Sequence, residues 1–224
     1  MTGSISVIIP TLNEGPRLGG LLSGLAGSGV HEVIVADGES TDDTVDIARA
    51  HGARIVTGAP GRGRQMNAGA EVAAGETLLF LHADTAMPDG FELAVEQVLS
   101  RQGVVAGAFR LRVDAPQWTY RMAEGLVQWR SRSLQMPYGD QALFIRARRF
   151  REIGGYRPIP IMEDYELVRR LRRSGRIGIA DAEVVTSARR WQRNGFWRTA
   201  GVNQVCMVAY LLGVSPDRLA RWRG

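Results

Sequence analysis

Residues 4–14, Ser4-Ile5-Ser6-Val7-Ile8-Ile9-Pro10-Thr11-Leu12-Asn13-Glu14, carry the decision about the fold. Ser4 to Pro10 is apolar, β-branched and closed by turn formers, which predicts a buried strand. Leu18 to Leu25 behind it has helical spacing, so the pair makes a βα unit. The order recurs. Glu32 to Ala36 is a strand before a helix at Asp43 to His51, and Ala53 to Thr57 a strand before a helix from about Arg64 to Ala73. Thr77 to Leu81 makes a fourth strand. Strands alternating with helices imply a mainly parallel sheet covered on both faces, with ligands at the carboxyl ends of its strands.

Beyond Gly103 the pattern changes. Phe109, Leu111 and Val113 alternate with Arg110 and Arg112, as expected of an antiparallel edge strand that makes the sheet mixed. Helices are expected at Trp118 to Arg132, Asp164 to Arg173 and Phe196 to Leu212, the last amphipathic, with a short strand at Ala142 to Arg146. No linker, repeat or low-complexity stretch interrupts the chain.

The chain has 224 residues, 45% hydrophobic and 23% charged, which is ordinary globular usage and argues against disorder or a fibrous fold. One domain is expected over 1–224. Cys206 is the single cysteine, so an intrachain disulfide and a cysteine-based metal cluster are excluded. The N-terminus lacks the basic flank and apolar length of a signal peptide, and Val205 to Val214 is about half of the ~20 residues a spanning helix needs. A cytoplasmic location follows as the expectation.

Charge is divided unevenly. Residues 1–112 carry 8 arginines against 13 acidic residues, and residues 113–224 carry 20 against 10, with no lysine anywhere. All five tryptophans, Trp118, Trp129, Trp191, Trp197 and Trp222, lie in the basic half. Arginine and tryptophan together suit an anionic interface, and the competing expectation is that Trp118, Trp129 and Trp197 pack in the core.

Four strand and helix ends hold residues able to do chemistry. No G-x-G-x-x-G follows the first strand, which argues against a nicotinamide enzyme. The second strand ends in Asp37-Gly38-Glu39-Ser40-Thr41-Asp42, where Ser40 or Thr41 suits a helix cap and Asp37 suits hydrogen bonding to a nucleoside. Gly61-Arg62-Gly63-Arg64-Gln65-Met66-Asn67-Ala68-Gly69 reads either as a surface turn or as a phosphate-facing helix entry. His82-Ala83-Asp84 places an imidazole and a carboxylate on one side of a strand end, either as a turn or around a divalent cation and a diphosphate. Glu163-Asp164-Tyr165-Glu166 opens a helix that ends in arginines, which helix-dipole capping alone would explain. The proline-bounded run Pro158 to Met162 before it suits a fixed loop holding a carboxylate over a cleft.

Together these places resemble the family 2 glycosyltransferases over roughly residues 4 to 191. The opening strand with Pro10-Thr11-Leu12-Asn13-Glu14 resembles the family's first motif, and Asp37 to Asp42 its Asp-Gly-Ser-x-Asp segment with an inserted glutamate. Arg64, Asn67 and Gly69 match Arg-x-x-Asn-x-Gly, His82-Ala83-Asp84 stands where Asp-x-Asp is usual, and Glu163-Asp164 matches the Glu-Asp pair. Arg190-Trp191 resembles the end of Gln-x-x-Arg-Trp of processive members, but Ser187 replaces the glutamine, so the likeness stops short of processive synthesis. Gly139-Asp140-Gln141 and Ser187 to Trp191 are similar to a bacterial subgroup called radical-SAM and selenodomain-associated, or arsenosugar-pathway, transferases.

The resemblance implies a GT-A, Rossmann-like α/β fold with a nucleotide-sugar half at 1–112, an acceptor half at 113–195 and a helical extension at 196–224. It implies an inverting transfer of a hexosyl group from a nucleotide-diphospho-sugar to an acceptor hydroxyl, assisted by Mn2+ or Mg2+. Asp164 is then the base with Glu163 its competitor, and Asp84 with His82 holds the metal. Pro10, Thr11, Asn13, Glu14, Asp37, Arg64, Asn67, His82, Asp140, Gln141, Arg190 and Trp191 meet substrates. The acceptor is left open between anionic and lipid-linked compounds, with peripheral contact at the inner face of a membrane. Two rivals stand beside this reading. A sugar-phosphate nucleotidyltransferase would place its lysine-bearing glycine-rich loop after the first strand, and a basic module binding an anionic surface, suggested by a pI near 10.1, leaves the strand-end carboxylates without purpose. No nucleic-acid partner is expected, and the oligomeric state is not legible.

Overall fold

A computed structural model describes residues 3–223, without the side chains of Arg190, Arg193, Asn194, Phe196 and Arg223. The four expected βα strands are β1 (Ile5–Thr11), β2 (Glu32–Asp37), β3 (Arg54–Thr57) and β4 (Thr77–Phe80). The helices between them are α1 (Gly15–Leu25), α2 (Thr44–Ala50) and α3 (Arg62–Val72). There follow β5 (Thr85–Ala86), α4 (Phe91–Leu99), β6 (Val104–Asp114), α5 (Trp118–Ser133), a 3-10 turn at Gly139–Gln141, β7 (Leu143–Arg146) and α6 (Ala147–Glu152). The chain closes with α7 (Glu163–Leu171), β8 (Arg176–Ser187), α8 (Arg189–Asn194), α9 (Phe196–Leu211) and α10 (Pro216–Arg223).

One sheet has the order β3-β2-β1-β4-β7-β6-β8-β5. The pairs β1–β2, β1–β4, β2–β3 and β6–β8 are parallel, while β7 runs antiparallel to both β4 and β6. Strand alternation assigns Ile8, Ile34 and Phe80 to one buried face, packed with Met66 and Ala70 of α3. Val7, Ile9, Val35 and Leu79 point to the other, packed with Leu18 and Leu22 of α1 and Val95 of α4. The α3 backbone approaches the sheet so closely that a β carbon on Gly69 would lie 2.5 Å from Ile8 Cγ2.

One expectation is corrected here. β6 is not an edge strand but lies between β7 and β8; its alternating arginines belong to the distal half, beyond its short pairing with β7, where Arg110 and Arg112 meet Glu183 of β8. β8 itself was not legible, because Gly178, Ala180, Asp181 and Ala182 break any period of two. The boundary expected at residue 112 falls inside β6.

The antiparallel course of β7 matters for the site. Phe80 pairs with Leu143, so the carboxyl end of β4 and the turn Gly139–Gln141 reach the same sheet edge. At that edge Ser187, ending β8, donates its backbone N–H to Asp84 O at 3.1 Å.

Candidate active site

A cleft opens at this edge, bordered by Arg62, His82, Asp84, Asp140, Glu163 and Asp164. A second hollow, at the carboxyl end of β1 and lined by Pro10, Thr11, Glu14 and Gln65, shares Arg62, His82 and Asp84 with the first. These three side chains therefore stand at the junction of two spaces.

Arg62 opens α3 after Gly61, whose φ of 137° suits glycine. Its Nε is 3.1 Å from Glu163 Oε1, its Nη1 is 3.9 Å from Asp164 Oδ2, and Nη1 faces His82 Nε2 at 3.4 Å. Burial works against its charge, but Glu163, Asp164 and Asp140 outweigh burial and hold the guanidinium more firmly protonated than usual. Opposite it, Met162 adopts a left-handed φ of 68° and starts α7, so that Glu163 and Asp164 fall in the first helical turn.

The two acids differ in environment. Glu163 is buried and engaged by Arg62. Asp164 receives the Gly139 backbone N–H, while its Oδ1 is buried with no hydrogen-bond partner among the described residues. Burial first, and then the Glu163 charge, push the Asp164 carboxyl up to about 7, against the opposing pull of Arg62. A carboxyl titrating near neutrality suits proton transfer.

The other expected residues divide into two groups. Asp140 and Trp191 line the main cleft, and Glu14 lines the second hollow while pairing with Arg17. Asn13 sits exposed at the same end with φ 54°, its Oδ1 accepting from Thr41 N at 2.8 Å. The remainder are occupied structurally. Asp37 is buried and accepts from Ser40 N, Ser40 Oγ and Thr11 Oγ1. Asn67 clamps the backbone N and O of Tyr156, both at 2.8 Å. Gln141 is fully buried and ties Ser131, Tyr138 N and Phe109 O together, facing away from the cleft. Arg64 is exposed and outside both hollows. The α3 register turns Arg62 inward instead, a choice that Gly-Arg-Gly-Arg leaves open until the helix start is known. The Arg190 side chain lies outside the described residues.

Sequence reading missed Arg62, and it missed Thr199, Asn203 and Cys206, through which α9 covers one side of the cleft. For α9 the signal was reversed: its polar Thr199 and Asn203 face the cleft, and Trp197, Val205, Val208 and Leu211 face solvent.

A divalent cation fits this donor set only in part. Among the described residues no three His, Cys, Asp or Glu side chains converge on one point. The Asp84 carboxylate, at the junction of the two hollows, suits Mg2+ or Mn2+ taking its remaining oxygens from a diphosphate and water. His82 turns its Nε2 toward the Arg62 guanidinium at 3.4 Å, which leaves Nδ1 as the ring nitrogen for a cation.

A mixed, mainly parallel sheet with acidic strand and helix ends around a shared cleft is the GT-A arrangement of nucleotide-sugar transferases. Residues 6–155 match the glycosyl transferase family 2 model, and the chain belongs to that family. An uncharacterised glycosyltransferase of Mycobacterium bovis is 30% identical over 156 residues, which are 65% of this chain and 68% of the relative. A Mycobacterium tuberculosis PGL/p-HBAD biosynthesis glycosyltransferase is 38% identical over 98 residues, 40% of this chain and 38% of that protein. Among solved structures, a mannosyltransferase from Pyrobaculum calidifontis in complex with GDP-Man and Mn2+ superposes with TM-score 0.68 at 20% identity. It is covered over 57% of its length, by 83% of this chain. Glucosyl-3-phosphoglycerate synthase from Mycobacterium tuberculosis gives TM-score 0.60 at 23% identity, over 81% of this chain and 70% of that one.

Proposed function

We propose that this glycosyltransferase moves a hexosyl group from a nucleotide-diphospho-sugar to an acceptor hydroxyl with inversion at the anomeric carbon. The observation that carries the reading is the buried Asp164 carboxylate, titrating near 7 and aimed into a cleft whose other wall is Arg62, His82 and Asp84. The nucleoside end of the donor occupies the hollow beside Pro10, Thr11 and Glu14, and the sugar reaches the main cleft. Asp164 accepts the proton of the acceptor hydroxyl as that oxygen attacks the anomeric carbon and the bond to the diphosphate breaks. Arg62 meets the departing phosphates with its fixed charge. Mn2+ or Mg2+ supplies further positive charge against the diphosphate, and Asp84 is the residue that would hold it. His82 contacts the donor instead of the metal.

The base is Asp164 and not Glu163, because Glu163 already spends its carboxylate on Arg62. The acceptor is an anionic or lipid-linked compound. The relatives above support the family and not the radical-SAM or arsenosugar-type subgroup. Thermal-shift screening against nucleotide-diphospho-sugars with and without Mn2+ tests the reading: a matching donor raises Tm by mass action, and no response to any donor would sink it.

A further inference from the structure

The solvent face of α5 carries an apolar row from Trp118 to Trp129. Trp118, Met122, Leu126 and Trp129 recur at helical spacing, with the two tryptophans 68% and 59% exposed. Glu124, the one acid in α5, is turned inward, where it accepts the Val113 N–H at 2.6 Å. The outer face of α9 repeats the pattern with Trp197, Val205, Val208 and Leu211, and α9 contains no acidic residue. From Arg189 to Pro216 the sequence has no Asp or Glu, and Arg198 is exposed there. Singly exposed apolar residues are ordinary, but ordered apolar rows on two helices are not.

Both helices flank the cleft. Arg130 of α5 stacks over Tyr138 at 3.5 Å, and Tyr138 Oη donates to Met207 Sδ of α9 at 3.1 Å. On the other side, Tyr120 of α5 meets the cleft residue Trp191 edge to face at 6.5 Å.

We infer that the outer faces of α5 and α9 dock on an anionic lipid bilayer and present the cleft to an acceptor held in that bilayer. The inference rests on the cleft being the site of glycosyl transfer. Charge decides between a membrane and a second copy of this chain. Arg121 and Arg132 of α5 already pair with Glu124 and Asp181, so a dimer through these faces would bury Arg198 between apolar rows on helices with no exposed carboxylate to meet it. A bilayer containing anionic lipid supplies the missing negative charge, while tryptophan and leucine enter its headgroup boundary. No helix among the described residues is long and apolar enough to cross a membrane, so the contact is at the surface.

The test is flotation of the full chain with phosphatidylcholine vesicles, with and without phosphatidylglycerol, alongside light scattering to measure mass in solution. Wild type should float only with phosphatidylglycerol, and less as salt is raised. The paired substitution Trp118→Ser with Trp129→Ser, and separately Trp197→Ser with Leu211→Ser, should abolish flotation while donor binding by calorimetry and Tm stay at wild-type values. No flotation by wild type would overturn the inference, as would a dimer that both double variants convert to monomer. Failure of wild type to bind any donor in the calorimeter would instead bring down the reading of the cleft, whatever the vesicles show.

Discussion

A β carbon built on Gly139 would lie 2.2 Å from Oδ2 of Asp164. The carboxylate is thus seated against bare backbone, held by the Gly139 N–H, with no room for a side chain between them. Gly139→Ala should displace Asp164 by about an ångström and lower turnover by ~10²-fold. Donor affinity should remain near wild type, because Gly139 is not part of the nucleoside hollow. Steady-state kinetics with calorimetry measures both.

Asp164→Asn should reduce kcat by ~10²-fold or more. The raised carboxyl also carries a stability signature. The folded state holds its proton up to about 7, whereas the unfolded value is 3.8, so stability falls as pH rises through that window. Removing the ionisable group removes this loss. The variant should therefore match wild-type Tm at the acidic end and exceed it above neutrality. Melting curves across the window, paired with a wild-type kcat/KM profile that rises through about 7, test the assignment, and a flat profile would reject it.

Arg62 and Arg64 give a paired contrast. Arg62→Met leaves Glu163 and Asp164 without their partner, so the midpoint of the kcat/KM profile should move to higher pH and donor affinity should fall. Arg64→Met, on the exposed side of α3, should change neither. Equal effects of the two substitutions would show that the helix register does not select the phosphate-facing cation.

Asp84→Ala should abolish the Mn2+ dependence of nucleoside diphosphate binding in titration calorimetry. His82→Ala should keep that dependence and weaken donor binding instead, since its Nε2 faces Arg62. The reverse pattern would return His82 to the metal.

The sequence by itself determined the βα units and the ends that carry chemistry. A run such as Ile5 to Ile9 reads the same in isolation as in the sheet, because strand alternation and leucine spacing in α1 are local properties. The Glu163-Asp164 pair and the His82-Ala83-Asp84 turn were legible for the same reason. Tertiary structure alone decided what these groups face. Arg62 rather than Arg64 enters the cleft because Gly61 fixes where α3 begins. Asp37, Asn67 and Gln141 look like ligand residues in the sequence, but Asp37 is occupied by Ser40 and Thr11, and Asn67 and Gln141 by backbone distant along the chain. β6 became an interior strand through β8, whose small and acidic residues hide its period. α9 turns Thr199 and Asn203 to the polar cleft and Met207 and Tyr210 to the core, which leaves Trp197, Val205, Val208 and Leu211 outward. The neutral-range carboxyl of Asp164 depends on burial and on Glu163 and Arg62 together, and burial and through-space charge are set only when distant segments meet.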